Sequence, residues 1–306
     1  ELTKRKYPDS MIIGSLAGSG TLGLLIPPSI IMIVYGVATD VSISKLFIAG
    51  VLPGIMLALL FMGYVGAWSL LHPDQIPPND IRMTFAEKVR NSAALIPSIL
   101  LIAAVLGSIY GGIATATEAA AIGVLAALIL ARVQGGLNWT RFWDSVMGAV
   151  RTTSMIMLIL AGSAFLSLAM GFTGLPRALA QAVGSMGLSQ VELLVALTIL
   201  YIILGCFLDG ISMVVLTMAV LLPVIQQAQF DLLWFGIYVV LVVEMAQVTP
   251  PVGFNLFVLQ GLTRRSIGYV SRVAFPFFLL MVAAVALITV FPEIVSALPN
   301  HMKMAR

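Results

Sequence analysis

The sequence predicts an all-α, polytopic membrane protein, and three observations carry that prediction. Hydrophobic residues make up 60% of the 306 positions and charged residues 9%, against about 25% charged in a soluble domain. The apolar runs are continuous and do not alternate, which excludes a membrane β-barrel. Two of the runs hold a Pro-Pro pair: Pro27-Pro28, closing Gly20-Thr21-Leu22-Gly23-Leu24-Leu25-Ile26, and Pro250-Pro251, closing Glu244-Met245-Ala246-Gln247-Val248-Thr249. Proline has no N–H to donate and its ring collides with the preceding turn, so each pair interrupts its helix.

The elements follow in order. Apolar segments run roughly over 11–38, 46–71, 93–112, 117–131, 152–172, 190–226, 232–262 and 268–292. Segment 77–91, opened by Pro77-Pro78, is polar and of mixed charge, and reads as a loop with a short surface helix. Residues 132–151 carry Arg132, Trp139, Arg141, Trp143 and Arg151, the pattern of an interfacial helix with tryptophans at headgroup level. Residues 174–188 suit a similar helix on the other side. The run 190–226 is too long for one simple crossing and holds Gly205-Cys206-Phe207-Leu208-Asp209-Gly210 near its middle. It reads as a re-entrant hairpin of two short helices with its tip there.

Charge asymmetry supports the hairpin. With the first loop cytoplasmic and the hairpin entering and leaving on one side, 12 of the 16 basic residues are cytoplasmic, among them Arg264, Arg265 and Arg272. Lys45, Arg177, Lys303 and Arg306 fall opposite. A single crossing at 190–226 would move Arg264, Arg265 and Arg272 outside. The sequence also repeats weakly: a shift of 223 residues lays Pro27-Pro28 on Pro250-Pro251 and Pro53 on Pro276. The same shift carries Asp209 to a position before residue 1. The first repeat is therefore expected to be incomplete, its hairpin missing, and the chain to be the C-terminal portion of something longer. Its parts are then 1–72, the end of the first repeat; 73–92, a cytoplasmic loop and surface helix; 93–189, scaffold and arm helices; 190–296, the second repeat's hairpin, broken helix and last helix; and 297–306, a periplasmic tail.

Broken backbone at membrane depth survives where it is buried in protein or lines a cavity, and paired breaks in matching halves point to a transporter's binding site. The freed carbonyls at such breaks suit sodium, which needs several oxygens and little charge. The first break offers the carbonyls of Gly23, Ile26 and Pro28. The shift gives Ala246, Thr249 and Pro251 in the second, Thr249 adding a hydroxyl. The plain alternative is that each pair only kinks a helix. Asp209 lies mid-run, where a charge is costly and faces a cavity or a partner, or else caps the helix that follows through its N–H groups. Ser212 at the same tip and Ser29 past the first break are further substrate-facing candidates.

Other polar residues read as structural. Thr115-Ala116-Thr117-Glu118 fits a capping box. Glu244 could tune a sodium site or relay protons, but a neutral or hydrogen-bonded glutamate facing the scaffold is the simpler reading. Glu192 reads as interfacial, and His72 and His301 as loop residues near segment ends. Gly18-Ser19-Gly20 and Gly23 lack the Gly-Lys-Ser/Thr of a phosphate loop, and suit close helix packing. Cys206 is the single cysteine, so no internal disulfide forms, and no metal-ligand cluster is present. The 16 methionines suit adaptable packing.

In combination, Gly18 to Ser29 with Ile26-Pro27-Pro28-Ser29, Gly111-Gly112-Ile113-Ala114-Thr115-Ala116-Thr117-Glu118-Ala119-Ala120-Ala121, Asp209-Gly210 and Thr249-Pro250-Pro251-Val252-Gly253 resemble the large membrane subunit of tripartite ATP-independent periplasmic (TRAP) transporters. The resemblance covers essentially the whole chain. It implies an elevator-type, inverted-repeat transporter of the bacterial inner membrane, with sodium (Na+) as the coupling ion and sodium sites at the two breaks. It also implies a small four-helix membrane subunit as partner, and a periplasmic binding protein that delivers an organic acid such as a C4-dicarboxylate or a sialic acid. Two alternatives stay open: a stand-alone sodium/anion symporter without a binding protein, and an intramembrane enzyme using Asp209 and Glu244 as paired acids.

Overall fold

The computed structural model describes residues 4–77, 84, 87, 92–249 and 253–301, Ala94 and Phe254 by backbone alone. They fall into two compact units, one from Glu1–Pro77 and Leu158–Asn300, the other from Pro78–Met157 and His301–Arg306. Every regular element among the described residues is helical.

In the first unit, α1 (Asp9–Leu25), α2 (Ile30–Thr39) and α3 (Ile43–Leu71) run in sequence. The second unit holds α4 (Ile96–Tyr110), α5 (Ala116–Val133) and the start of α6 (Trp139–Thr173), whose later part belongs to the first unit. The first unit continues with α7 (Leu175–Ser185), α8 (Gln190–Leu204), α9 (Gly210–Gln227), α10 (Leu232–Gln247), α11 (Phe254–Thr263), α12 (Ile267–Val290) and α13 (Glu293–Asn300). Five of these, α3, α5, α6, α9 and α12, are long and apolar enough to cross a membrane, and the bent pair α1–α2 makes a sixth.

The weak sequence repeat becomes plain in the element order. Each repeat has a helix of 16 or 17 residues, a break, a ten-residue half-helix ending in a left-handed residue (Asp40 or Arg264), and a long helix with an internal proline (Pro53 or Pro276). The packing is reciprocal: α1 lies on α12 as α10 lies on α3, while α1 meets α10 and α3 meets α12. Reciprocity of this kind is what a two-fold relation between like units produces. At one such seam Gly14 and Gly18 lie against Val273 and Phe277, where an added Cβ would fall 2.5 Å from the Val273 carbonyl and 2.4 Å from the Phe277 ring.

The core of this unit is α10. Residues 235–247 are all buried, so this 16-residue helix meets protein on every side. Its start is lined by stacked aromatics, Phe230 just before the helix and then Trp234 and Tyr238 in its first half. Buried aromatic tips need partners, and they find them on other helices. Tyr238 Oη donates to the Leu194 carbonyl at 2.8 Å and lies 2.8 Å from the Thr198 hydroxyl. Trp234 Nε1 donates to the Ile288 carbonyl (2.9 Å), and Tyr35 Oη from α2 donates to the Leu232 carbonyl (2.7 Å).

The long run 190–226 is two antiparallel helices. At the base, Gln190 Nε2 donates to the Ala228 carbonyl (2.9 Å); midway, the Tyr201 and Thr217 hydroxyls lie 2.6 Å apart; the chain turns between Leu204 and Gly210. In the second unit, α4 and α5 pack as a pair joined through Gly111–Thr115, with Gly123 close to Val105. Their outer faces are exposed and apolar, as lipid contact requires.

One expectation changes. The interfacial helix over 132–151 is not separate from the apolar run after it: α6 is continuous for 35 residues. Arg151-Thr152-Thr153-Ser154 changes polarity, but contains neither proline nor glycine, so nothing there ends the helix. Residues 175–185 do form their own helix.

Candidate functional site

The first break follows from which donors the prolines delete. In a helix the carbonyls of Gly23 and Leu24 would accept from residues 27 and 28; both are proline, so both carbonyls lose that bond. The Ser29 hydroxyl donates to the Leu24 carbonyl and accepts from Met32 N, capping α2. Ile26 N still donates to the Leu22 carbonyl (2.8 Å). Gly23 is left without its helical donor. The Pro27–Pro28 bond is cis and the axes of α1 and α2 differ by 42°. The break is seated on α3 by two glycines one turn apart: a Cβ on Gly50 would lie 2.9 Å from the Leu25 carbonyl, and one on Gly54 would lie 2.8 Å from the Ile26 side chain.

The second break repeats the deletion. Pro250 and Pro251 deprive the Ala246 and Gln247 carbonyls of their helical donors. Thr249 N reaches the Ala246 carbonyl at 3.4 Å, and the Thr249 hydroxyl donates to the Met245 carbonyl at 2.6 Å. Gly253 N donates back to the Thr249 carbonyl (3.0 Å). Gly253 has to be glycine, because a Cβ there would stand 2.3 Å from the Gln247 carbonyl oxygen. Pro251 lies outside the described residues.

The hairpin tip closes on this second break. A Cβ on Gly205 would fall 2.4 Å from Ala246 Cβ; one on Gly210 would fall 2.7 Å from Gln247 Nε2 and 3.0 Å from both Ile31 Cδ1 and Val243 Cγ1. The tip thus touches the end of α10 and the first turn of α2. The hairpin tip sits against the end of the second broken helix and beside a side chain just past the first break, the kind of convergence that points to a transporter's binding site.

Asp209 and Ser212 sit at this tip. Asp209 Oδ2 accepts from Ile211 N (3.1 Å) and Ser212 N (3.3 Å), and the Ser212 hydroxyl donates to Oδ1. The N-terminus of α9, otherwise an anion site, is thus occupied by the protein's own carboxylate. Glu118 forms its capping box with Thr115. Glu192 forms another with Ser189, a Ser-x-x-Glu signal present in the sequence that the interfacial reading passed over. His72 ends α3 stacked on Trp68. Among the described residues no group of three metal-ligating side chains occurs. A cavity of ≈ 430 Å³ lies at the hairpin base, lined by Gln190, Leu194, Phe230, Asp231 and Trp234. Its one carboxylate, Asp231, caps α10 by accepting from Trp234 N.

Helices of membrane length, two matched breaks and a hairpin seated on one of them define a membrane permease. The chain matches the family model described as "Tripartite ATP-independent periplasmic transporter, DctM component" over residues 1–294, and it belongs to that family. It is 31% identical over 305 residues to the C4-dicarboxylate TRAP transporter large permease protein DctM of Pseudomonas aeruginosa, covering 99% of this chain and 71% of that protein. It is 32% identical to the isethionate TRAP transporter permease protein DctMQ of Oleidesulfovibrio alaskensis, covering 96% of this chain and 46% of that one. To the sialic acid TRAP transporter permease protein SiaT of Haemophilus influenzae the identity is 31%, over 96% and 47%. The chain is accordingly a transporter permease of the inner membrane, multi-pass, and not an enzyme.

Proposed function

We propose that this permease imports an organic acid by sodium symport, in an elevator motion of inverted repeats, together with a small membrane subunit and a periplasmic binding protein that delivers the substrate. The observation that carries the reading is the convergence of the glycine-bearing hairpin tip on a break where the Ala246 and Gln247 carbonyls have lost their helical donors. Sodium takes oxygen ligands without needing a counter-charge. In this reading the carbonyls of Gly23, Ile26 and Pro28 at the first break, and of Ala246, Thr249 and Pro251 at the second, are drawn on for it, with the Thr249 hydroxyl. That hydroxyl spends its hydrogen on Met245, which leaves its lone pairs to a cation. A 1+ charge moving inward gains about 2.3 kcal/mol per 100 mV of membrane potential.

For the substrate side, Ser29, Asp209 and Ser212 act chiefly by holding backbone. Each already spends polar atoms on a break or on the tip, and a bare carboxylate at Asp209 would repel an anionic substrate. Three of the relatives are C4-dicarboxylate, isethionate and sialic acid transporters, and the substrates of these three share the chemistry of an organic anion. The test is uptake into proteoliposomes that hold the complete transporter with its small subunit and binding protein. Uptake should require an inward sodium gradient, and equal uptake with potassium in place of sodium on both sides would refute the coupling. Uptake without any binding protein would favour a stand-alone symporter.

A further inference from the structure

Two cavities adjoin one another beside α7, and no residue of either break lines them. One, of ≈ 600 Å³, has a polar rim: Arg177 and Gln181 line it from α7, one turn apart, and Gln227 from the end of α9. The other, of ≈ 550 Å³, is lined by Leu160, Ala164 and Leu168 of α6, Met218 and Leu222 of α9, and Val37 of α2. Gly171, Pro176 and Pro223 belong to the walls of both, so the two form one groove with a polar end and an apolar end.

The groove is bounded along its length. The Ser163 hydroxyl donates to the Val215 carbonyl at 3.0 Å, which ties α6 to α9 near the apolar end. Toward the polar end α7 packs on α9. Between these ties α6 and α9 face each other across open space instead of the close packing of a protein interior.

Charge and length decide what the groove can hold. Arg177 is exposed, no acidic side chain lines either cavity, and among the described residues none pairs with Arg177. A guanidinium flanked by two amides suits a phosphate, which it can meet through paired hydrogen bonds. The apolar end follows α6 from Leu160 to Gly171. That is about 16 Å of helix, close to the roughly 15 Å of hydrocarbon in one leaflet. A free phosphate or a small organic acid would leave this end empty. A molecule with an anionic head and an apolar tail of leaflet length satisfies both ends.

We propose that this groove is a binding site for a phospholipid, its phosphate held by Arg177 with Gln181 and Gln227, and one acyl chain laid between α6 and α9. The second helix of the hairpin then rests on lipid along this side, and the lipid becomes part of its support.

The test is native mass spectrometry of the purified, delipidated complete transporter with phosphatidylglycerol added, in wild type, Arg177→Gln and Ala164→Trp. It needs neither sodium nor substrate, so its outcome is separate from that of the coupling experiment. The wild type should retain phosphatidylglycerol. Arg177→Gln should weaken retention about fivefold, the effect of one basic residue beside an anionic headgroup. Ala164→Trp fills the apolar end and should remove the bound copy with Arg177 still in place. Added phosphatidylglycerol should also raise the thermal midpoint of the wild type more than that of Arg177→Gln. Glycerol phosphate, a headgroup without chains, is the control. A wild type that retains no lipid, or retention that neither variant changes, overturns the proposal. Glycerol phosphate bound through Arg177 as tightly as the lipid would mark a small-anion site and likewise overturn it. Should Ala164→Trp fail to fold, Arg177→Gln and the glycerol phosphate control still decide, since Arg177 is exposed and its replacement leaves the packing intact.

Discussion

The two breaks share one device and differ in what covers it. On α10 the hairpin tip lies over Val243 and Ala246, through Gly210 and Gly205. The matching positions on α1 are Gly20 and Gly23, both exposed, and a Cβ added to either would meet nothing within 4 Å. Close approach of two backbones needs a missing side chain on at least one of them. In the second repeat the hairpin supplies it; in the first the broken helix carries the glycines itself. Leu16, Ile30, Ile33 and Val37 extend the open face as exposed apolar surface. The second break is thus a finished contact, while the first presents a surface shaped for one.

The largest expected effect tests the covered side. Gly205→Val puts atoms into Ala246, whose backbone lies 3.1 Å from the first of them. Overpacking of this kind costs about 1–3 kcal/mol. Uptake by the complete transporter should fall more than about tenfold, with a lower thermal midpoint. Normal uptake would mean that the tip does not need its close seat.

A smaller effect separates ligand from scaffold at the second break. Thr249→Val keeps the volume and deletes the hydroxyl, an interaction worth about 1 kcal/mol. The sodium concentration for half-maximal uptake should rise about three- to tenfold, with the amount of protein unchanged. Asp209→Asn retains the cap acceptor and should stay within about twofold of wild-type uptake. An unchanged sodium dependence in the first variant would leave this break as scaffold alone.

The smallest effect belongs to the open side. Gly23→Ala meets no atoms and improves helix propensity, so the stability of this chain should rise by no more than about 1 kcal/mol. The same substitution in the complete transporter sharpens the contrast. A loss there as large as that of Gly205→Val would mean that another segment packs on Gly20 and Gly23.

What was legible in the sequence is what single residues impose on their own backbone. Pro27-Pro28 and Pro250-Pro251 announce the breaks, Thr115 with Glu118 a helix start, and the glycines around Asp209 a turn. Less legible was anything decided between helices. Gly50 and Gly54 carry no sign in the sequence of the break that lies on them. Thr21 and Glu244 are 223 positions apart, and that both are buried follows from the packing of α1 and α10 on their neighbours. The unbroken α6 was hidden for the opposite reason, since a change in polarity resembles a boundary although it removes no hydrogen bond.

The aromatic half of α10 has a mechanical consequence. Tyr238 is bonded to α8, Trp234 to α12, and the Leu232 carbonyl to Tyr35 of α2. A helix tied through its first half to three neighbouring helices resists sliding along its axis. Force on the hairpin tip is therefore passed to α2, α8 and α12 together. Bending is left to places without such ties, as at Pro27-Pro28, where two prolines in succession donate no hydrogen bond.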